Sequence, residues 1–418
     1  MKPANTRRKK KDSSLVAPNV LLTDTNRWPA PSRLAIGLAR AGCNVSAICA
    51  TGHPLLKTRA VQRAFPYSGF RPLESLIAAI ELSDPQIIIP CDDRGVQHLH
   101  ELHARARAEG TSGIRLATLI ENSLGSPENY SIVSSRFHFL RNASEAGINV
   151  PDMMPINTAD DLKSWKGKQQ FPWVLKADGS FGGRGVRMAD SLEQAEQFFL
   201  EINRPFTAKR VIKRLIVNRD PFWIRPWWNN CTPPVIVQAH INGRPANCAA
   251  FCWKGNVLAG FGVEVVSFQG QTGPANVVRL VDDSEMMTAA KRIASRLNLS
   301  GFFGLDFMID EQSNRTYLIE MNPRCTPLCH LQLGPGRDMI EALRAQLSGE
   351  QYRETPPVTE NSLIAYFPQA WNCNSEYLQS SYQDIPQGEN ELIEELLQPW
   401  PDRSFLFRAG ARILQKVS

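Results

Sequence analysis

Asp306, Glu320 and Asn322 are the side chains of this sequence that are best suited by type and spacing to bind a metal ion. LDFMID alternates apolar and polar residues, a polar run EQSN follows, and RTYLIEMN alternates again, which predicts a β-hairpin. With its turn near Ser313, Asp306 and Glu320 lie opposite each other, and opposed Cβ atoms are about 5 Å apart. Two carboxylates this close repel each other unless a cation lies between them. Oxygen ligands without His or Cys favour a hard cation such as Mg²⁺.

The same alternation assigns the two faces of the hairpin. Asn322 lies on the face of Glu320 because side chains along a strand alternate. The other face carries apolar residues that suit a core, namely Leu305, Phe307, Ile309, Tyr317, Ile319 and Met321. Because protein-bound Mg²⁺ usually shares its coordination with substrate phosphates, the hairpin predicts a phosphate-binding loop elsewhere in the chain.

A glycine-rich loop between two predicted strands, in PWVLKADGSFGGRGVRM, fits that expectation. Glycines let backbone N–H groups approach an anion closely. The small residues of this loop are Gly179, Ser180, Gly182, Gly183 and Gly185. Lys176 ends the first strand, where its ammonium group can reach a phosphate. The P-loop pattern G-x-x-x-x-G-K-[ST] does not fit, because the lysine precedes the glycines.

Together with VIVQAHINGRP, TGPANVVR and YLIEMNPR, these segments make the sequence resemble the ATP-grasp superfamily, in particular its carbamoyl-phosphate-synthase-like and biotin-carboxylase-like carboxylate–amine ligases. The resemblance covers roughly residues 18–350. It implies that the protein binds ATP and Mg²⁺, with two metal ions and with Mn²⁺ as an alternative. It also implies that Lys176 contacts the α and β phosphates, that residues 179–185 fold over the triphosphate, and that the hairpin binds the metal.

The resemblance assigns the adenine side of the site to one strand end. Gln238 stands where the family usually has Glu, just before a hinge that borders the adenine, formed by Ala239, His240 and Ile241. The substitution removes a negative charge, so the contact of residue 238 with the nucleotide is expected to differ from that of the family.

Arginines complete the implied site. Arg324, two residues beyond Asn322, matches an arginine that stabilises the acyl phosphate or the transferred phosphoryl group. Arg136 occupies the place of a basic residue that helps hold the phosphates, with Arg141 as a rival for this role. Arg279 is a further candidate for a phosphate contact. The alternative for each arginine is an exposed surface charge.

The remaining motifs and the composition add little chemistry. His98, His100 and His103 admit a zinc site as an alternative, although only the last two share a helical face and no third ligand is evident. The net charge is +6, and the six lysines and arginines among residues 2–11 carry as many positive charges. Residues 1–17 are therefore expected to be a disordered basic tail. The sequence predicts no nucleic-acid site and no membrane span. Reduced cysteines and the absence of a signal-peptide pattern favour a cytoplasmic protein.

The pattern along the chain predicts an α/β and α+β protein. VLLTD, VSAIC, IIIPCDD and IRLAT are predicted strands, and residues 31–42, 72–82 and 94–109 are predicted helices, which together indicate an open parallel sheet. Side chains after these strands, at residues 24–27 and 91–94, are expected either to bind an acceptor substrate or, for Asp92 or Asp93, to cap the next helix. The predicted domains are a pre-ATP-grasp domain (18–125), two ATP-grasp subdomains (126–235 and 236–350) and a small C-terminal appendage (351–418).

These observations predict an ATP-dependent ligase that joins a small-molecule carboxylate to an amine, or to a thiol, through an acyl phosphate and releases ADP and phosphate. A homodimer is the family-based expectation. One alternative is a bicarbonate-activating carboxylase or carbamoyl-phosphate-type enzyme. The other is a non-catalytic ATP-binding regulatory protein.

Overall fold

The computed structural model describes residues 17–178, 185–204, 232–268, 274–282 and 284–398, together with part of the segment 207–229. The predicted basic tail lies outside the described residues except for Ala17. The described residues form a mixed α/β structure that contains sheets of four, four and seven strands. No helix among them is long and apolar enough to cross a membrane.

The first sheet is parallel and has the strand order β3-β2-β1-β4, which confirms the predicted open parallel sheet. Its strands are β1 (Asn19–Asp24), β2 (Asn44–Cys49), β3 (Arg63–Pro66) and β4 (Ile87–Pro90). The accompanying helices are α1 (Ala30–Arg40), α2 (Pro72–Ser83), α3 (Asp93–Ala108) and α4 (Ile114–Leu124). In a parallel sheet all strand ends of one kind lie at one edge, so the loops after β1 and β4 are neighbours.

The strand predicted at IRLAT is wrong, because this segment begins helix α4. The buried residues of α4 are Ala117, Ile120 and Ser123, which recur at the three-residue spacing of one helical face. A short apolar run fits a buried helix as well as a strand, and here the run is continued to a helical length. Strand β3 is not predicted by the sequence pattern, because it is an edge strand whose residues are mostly exposed and lack a clear alternation.

The second sheet has the order β5-β8-β6-β7, with antiparallel pairing throughout. Its strands are β5 (Met153–Ile156), β6 (Trp173–Ala177), β7 (Val186–Ala189) and β8 (Val235–Ala239). The helices of this part of the chain are α5 (Tyr130–Val133), α6 (Arg136–Glu145), α7 (Ala159–Lys166), α8 (Leu192–Ile202) and α9 (Ile224–Trp228). Trp173, Leu175 and Val237 are buried in the core of this sheet, so residues 174, 176, 236 and 238 lie on its other face.

The third sheet has seven strands in the order β13-β12-β9-β10-β11-β14-β15. The strands are β9 (Gly243–Trp253), β10 (Asn256–Phe268), β11 (Ala275–Val281), β12 (Gly301–Asp310), β13 (Thr316–Asn322), β14 (Leu363–Tyr366) and β15 (Tyr382–Asp384). The accompanying helices are α10 (Ser284–Arg296), α11 (Met339–Ser348), α12 (Gln369–Asn372) and α13 (Asn390–Leu397). Phe303 and Phe307 pack with α10 on one face, whereas Phe261 and Phe302 share a core with the first sheet.

The predicted β-hairpin is present as β12 and β13, and Asp306 pairs with Glu320 as the spacing predicts. Leu305, Phe307 and Ile309 are buried, which confirms the core face of β12. On β13 the predicted core face is confirmed at Met321, which pairs with Leu305 and packs against the same core. It is wrong at Tyr317 and Ile319, because Thr316 and Leu318 are buried instead. The cause is a β-bulge between the Asp306 and Phe307 pairs, which shifts the alternation of β13 by one residue.

Strands β14 and β15 extend the third sheet beyond β11. β14 pairs antiparallel with β11, and β15 pairs parallel with β14. Asp384, at the end of β15, lies 3.1 Å from Nε of Arg33 on α1 and 3.0 Å from Nε2 of His330. Arg33 and His330 hold the pKa of Asp384 below its usual value despite its burial. This ion cluster connects the C-terminal strands to the first helix of the chain.

The histidines of α3 have separate partners and do not converge on one another. Nε2 of His98 lies 2.9 Å from the Tyr67 hydroxyl, and Nε2 of His103 lies 2.8 Å from Oε1 of Glu121. His100 stacks on the Tyr130 ring at a centroid distance of 4.0 Å. In the part of the chain that the structure describes, no three His, Cys, Asp or Glu side chains gather in a metal-binding group.

Replacing His100 with phenylalanine is expected to flatten the pH dependence of stability in the acid range. Burial lowers the pKa of His100 to about 4, so the folded protein keeps the ring neutral while the unfolded chain binds a proton below about pH 6.5. Its stabilising contribution is therefore complete above pH 6.5 and is lost as the pH falls toward 4. Denaturant unfolding at pH 7.5 and 4.5 should show a fall in unfolding free energy that is smaller by about 2 kcal/mol in the variant.

The exposed His138 provides the control for this measurement. His138→Phe should leave the difference between the two pH values unchanged. An unaltered difference in the His100→Phe protein would mean that His100 does not carry the acid sensitivity.

Candidate active site

Asp306 and Glu320 place two carboxylates side by side at the open end of the hairpin. Burial, with a contribution from Glu320, raises the pKa of Asp306 to about 6. Asn322 donates a hydrogen bond from Nδ2 to Oδ2 of Asp306 at 3.0 Å. The donor set consists of oxygen atoms, and a divalent cation between the carboxylates would offset the repulsion that raises this pKa. These residues could therefore hold Mg²⁺.

Asn247, on β9, is a neighbour of this set that the sequence analysis missed. It pairs directly with Asp306, so its amide lies on the same face of the sheet as the carboxylates. Nothing local to Asn247 reveals this position, because the pairing of β9 with β12 depends on the long-range order of the strands.

Lys176 connects the second sheet to the third. Its Nζ donates to the backbone carbonyl of Ile319, on β13, at 3.5 Å. The side chain is buried, and burial lowers its pKa to about 8 although Glu320 and Asp306 oppose this shift. The contact shows that the face of the second sheet that carries Lys176 faces the hairpin, and that the predicted phosphate ligand lies beside the predicted metal ligands.

Arg136, the first residue of α6, lies in the same cleft. Its Nη2 donates to Oε1 of Glu320 at 2.5 Å, and its Nη1 donates to the carbonyl of Ala177, at the end of β6, at 2.9 Å. Asp178 lies 3.6 Å from Nη1. The rival Arg141 instead pairs with Glu145 and has a side chain that is 59% exposed. The structure therefore brings Arg136, and not Arg141, to the Lys176 end of β6.

Arg324 joins the hairpin to the loop after β4. Its Nη2 donates to Oδ1 of Asn322 at 3.1 Å, and its Nε donates to Oδ2 of Asp93 at 3.0 Å. Burial alone would lower the pKa of Arg324, but Asp93 and the nearby carboxylates raise it, so the guanidinium stays charged. The ion pair joins segments that are distant in the chain, so the sequence predicts the loop of Asp93 but not this pairing.

Arg279, the further candidate for a phosphate contact, lies apart from this cluster. On β11 Arg279 pairs with Glu264 of β10. Glu264 pairs with Ala246 of β9, and Ala246 pairs with Phe307 of β12, so these side chains lie on one face of the sheet. Phe307 is buried on the α10 side of the sheet, opposite to Asp306. Arg279 is therefore exposed on the face of the sheet away from the carboxylates. The strand register determines this face, and the sequence does not predict the register.

The glycine-rich loop is described only at its end. Gly179, Ser180, Gly182 and Gly183 lie outside the described residues. Gly185 is buried, and its carbonyl accepts a hydrogen bond from the Ala177 N–H at 3.0 Å. This bond joins the ends of β6 and β7 beside Lys176.

Gln238, on β8, lies on the same face of the second sheet as Lys176. Gln238 pairs with Val174, and Ile236 pairs with Lys176, so the two polar side chains point in one direction. Gln238 is only 2% exposed, and among the described residues its Nε2 has no hydrogen-bond partner. Ala239, His240 and Ile241 follow as half-buried residues in the connection from β8 to β9.

Asp92 organises the edge of the first sheet. Its Oδ1 accepts from the Gly95 N–H at 2.6 Å, which confirms the helix-capping alternative for this residue. Its Oδ2 accepts from the N–H and the hydroxyl of Thr25, both at 2.7 Å, and from Asn26. Asp92 is buried and its hydrogen-bonding capacity is used, whereas Asp93 remains one-third exposed beside Arg324.

Residues 133–327 match the family model of an ATP-grasp domain. The chain carries an ATP-grasp domain. That match includes Arg136, Lys176, Gln238, the carboxylate hairpin and Arg324, which are the residues that the cleft brings together. The first sheet and the C-terminal strands β14 and β15 lie outside the range of the match.

The chain is also similar to known proteins over a longer range than the matched domain. It is 25% identical over 182 residues to a carbamoyl-phosphate synthase of Methanobrevibacter smithii, covering 43% of either chain. A biotin carboxylase from Campylobacter jejuni, solved as a β-γ-ATP complex, has a TM-score of 0.57 at 16% identity, over 81% of this chain and 72% of that one. N5-carboxyaminoimidazole ribonucleotide synthetase from Thermus thermophilus also has a TM-score of 0.57, at 14% identity, over 81% and 80%. The chain spans less than half the length of the synthase, and the structural matches show a shared fold.

Proposed function

We propose that the protein is an ATP-dependent ligase that joins a small-molecule carboxylate to an amine, or to a thiol, through an acyl phosphate. The observation that carries this proposal is the arrangement of charges in one cleft. Lys176 approaches the carboxylate hairpin from the second sheet, Arg136 from helix α6, and Arg324 from the side of the first sheet. Cations around a paired carboxylate site suit a triphosphate with its metal ion.

Within this proposal the second sheet binds the nucleotide. Lys176 contacts the α and β phosphates, with residues 179–185 over the triphosphate. Arg136 adds positive charge from α6. The adenine lies toward Gln238 and the connection formed by residues 239–241. Lys176 and Gln238 are both buried and lie on the same face of the second sheet. This supports an orientation with the phosphates at the Lys176 ammonium and the base at the Gln238 amide.

Asp306, Glu320 and Asn322 are the proposed Mg²⁺ ligands. Mn²⁺ is the alternative metal, and the proposal includes two ions. The oxygen-only donor set and the raised pKa of Asp306 support a cation between the carboxylates. When bound, the metal would neutralise phosphate charge and align the phosphate oxygens. Arg136, which binds Glu320 through one guanidinium nitrogen, would hold that carboxylate in place for the ion.

The proposed reaction has two substitutions. A substrate carboxylate oxygen attacks the γ phosphorus, the bond to the β-phosphate oxygen breaks, and ADP leaves. The amine nitrogen then attacks the acyl carbon, the C–O bond to phosphate breaks, and the nitrogen loses a proton. Arg324 would stabilise the negative charge of the phosphoryl group and of the acyl phosphate. Lys176 would offset the charge on the departing ADP.

The acceptor substrate is proposed to enter at the edge of the first sheet. The Arg324–Asp93 pair connects this edge to the hairpin, so a carboxylate at Arg324 would lie between the loop after β4 and the γ phosphate. Asp92 and its bonds to residues 25–26 fix the backbone of that edge. A rigid edge suits the positioning on which phosphoryl transfer depends.

Bicarbonate activation is the second candidate. It is favoured by the likeness to proteins named carbamoyl-phosphate synthase and biotin carboxylase. In that reaction bicarbonate takes the place of the substrate carboxylate at Arg324, and the same nucleotide and metal residues act. ADP release that requires bicarbonate and no organic acid would identify this candidate.

The test is a substrate screen with the purified full-length protein, read by the release of ADP and phosphate. We expect ADP release with particular pairs of acids and amines and with Mg²⁺ present, with stoichiometric formation of an amide. Mass spectrometry of the product distinguishes an amide from a thioester or a carboxylated amine. ATP binding without ADP release across a broad panel of acids, amines, thiols and bicarbonate would contradict the ligase proposal.

A further inference from the structure

Three cysteine side chains meet beside Arg324. Cys91 follows strand β4, whereas Cys325 and Cys329 lie in the segment that follows β13. Each is at most 5% exposed, and the thiol of Cys325 is hydrogen-bonded to the thiols of both Cys329 and Cys91. All three are free cysteines. A buried cysteine usually behaves as a small apolar side chain, so thiols that contact one another are a feature with chemical potential.

The surroundings of Cys329 favour its thiolate form. Its Sγ accepts a hydrogen bond from the Thr326 N–H at 3.2 Å, and the Thr326 hydroxyl lies 3.5 Å away. Burial alone would raise the pKa of Cys329, but the contacts with Cys325 and Thr326, together with Arg324, lower it below its usual value. The pKa of Cys325 is raised instead, because its thiol is hydrogen-bonded to Cys329. One thiol of the pair therefore loses its proton readily, and the thiolate is the form that reacts.

We propose that Cys325 and Cys329 form a redox site, at which a peroxide converts the two thiols into a disulfide. The Cys329 sulfur attacks one peroxide oxygen, the O–O bond breaks, and hydroxide leaves. The Cys325 sulfur then attacks the sulfur of the resulting sulfenic acid, the S–O bond breaks, and the Cys325 proton leaves with the second hydroxide as water. In total two thiols are oxidised, and one peroxide is reduced to two water molecules.

Burial and position define the oxidant and the partner. Cys329 is fully buried, so the oxidant must be as small as hydrogen peroxide, and a protein disulfide would not reach it. Because Cys329 is the thiolate of the group, we expect Cys325 to bond to Cys329 rather than to Cys91.

The backbone of Cys325 connects this pair to the proposed phosphoryl-transfer residue. Arg324 donates from Nη1 to the Cys325 carbonyl at 3.3 Å, and the Cys325 N–H donates to the carbonyl of Pro90, at the end of β4, at 3.0 Å. A disulfide brings the two sulfurs to about 2.05 Å, well inside hydrogen-bond distance. We expect Cys325 to move and Arg324 to lose its alignment with Asp93. This effect on Arg324 rests on the proposed ligase function, whereas the disulfide itself does not.

The disulfide is tested by peptide mapping of the full-length protein after treatment with hydrogen peroxide and alkylation of the remaining thiols. Trypsin cleaves after Arg324 and Arg337, which places both cysteines in one peptide, 325–337. We expect this peptide to be lighter by two hydrogen atoms and to resist alkylation until dithiothreitol is added. An unchanged peptide, or one that is cross-linked to the peptide of Cys91, would overturn the proposed pair.

The effect on activity is measured as ADP release by the same samples. The oxidised wild type should be slower by at least about tenfold and should recover with dithiothreitol. Cys329→Ser should keep the basal rate and resist peroxide, because Cys325 then has no sulfur partner at this position. Cys252→Ser is the matched control, since Cys252 is equally buried and its thiol donates to the Gly301 carbonyl. It should be inactivated like the wild type.

The outcomes separate the redox site from the ligase function. A mapped disulfide without loss of ADP release, or inactivation of Cys329→Ser by peroxide, would overturn the connection to Arg324. A protein that never releases ADP would contradict the ligase proposal, and the mapped disulfide would still decide the redox site. Amide hydrogen exchange provides a further measurement that needs no activity. Exchange at Cys325 should become faster on oxidation, because the bond to Pro90 is weakened.

Discussion

Asp306→Asn is expected to lower the rate of ADP formation by at least about a thousandfold, equivalent to about 4 kcal/mol of transition-state stabilisation. The substitution preserves the shape of the side chain and removes one of the two charges that face each other across the hairpin. The proposed cation would then have a single carboxylate partner. Because burial and Glu320 disfavour the ionised form of Asp306, the metal-free variant should unfold at a temperature equal to or above that of the wild type. Steady-state assays and thermal unfolding without metal test the two parts separately.

Asp310→Asn is the matched control for this prediction. Asp310 lies in the same hairpin, where its Oδ1 accepts hydrogen bonds from Ser313 and Gln312 at the exposed turn. Its substitution should cost some stability and leave the rate of ADP formation unchanged. Full turnover by Asp306→Asn, or equal losses in both variants, would rule out the metal assignment.

Arg324→Ala is expected to lower kcat for ADP formation by about a hundredfold or more, with a smaller effect on the KM for ATP. The guanidinium contacts Asn322 and Asp93, on the side of the cleft away from Lys176, so its loss should affect phosphoryl transfer more than nucleotide binding. Arg324→Lys should restore little activity, because one ammonium group cannot reproduce the hydrogen bonds of the planar guanidinium to both Asn322 and Asp93. Initial-rate measurements over a range of ATP concentrations separate kcat from KM.

Arg337→Ala serves as the control, because Arg337 is a partly exposed arginine that pairs with Asp282 at the surface. It should retain wild-type kinetics. An Arg324→Ala protein with unchanged kcat and a raised KM for ATP would reassign Arg324 to nucleotide binding.

The parts of the site that the sequence predicted are those encoded within a short segment. The hairpin of Asp306 and Glu320 is local, so alternation and turn composition were enough to predict the pairing. The glycine loop and Lys176 are likewise contiguous in sequence. The family resemblance implies that both lie near the hairpin, and for Lys176 the hydrogen bond to the Ile319 carbonyl establishes this.

The errors arose where long-range order or a local irregularity decides the outcome. A single bulge reversed the faces of Tyr317 and Leu318, and no sequence pattern marks it. The family resemblance makes Arg279 a candidate for a phosphate contact, but the face on which it lies depends on the register of several strands. The Asp93–Arg324 pair joins residues from different sheets, and the unpartnered amide of Gln238 becomes visible only when its surroundings are known.

The extension of the third sheet by β14 and β15 has a consequence for truncated forms of the protein. A chain that ends before β14 would leave the backbone groups of β11 at Val277–Arg279 without their partners. An uncovered strand edge of this kind is a template for pairing with other chains. Loss of Asp384 would also leave Arg33 as a buried cation without its carboxylate. A chain truncated before β14 should therefore self-associate and precipitate, even though it contains all of the proposed catalytic residues.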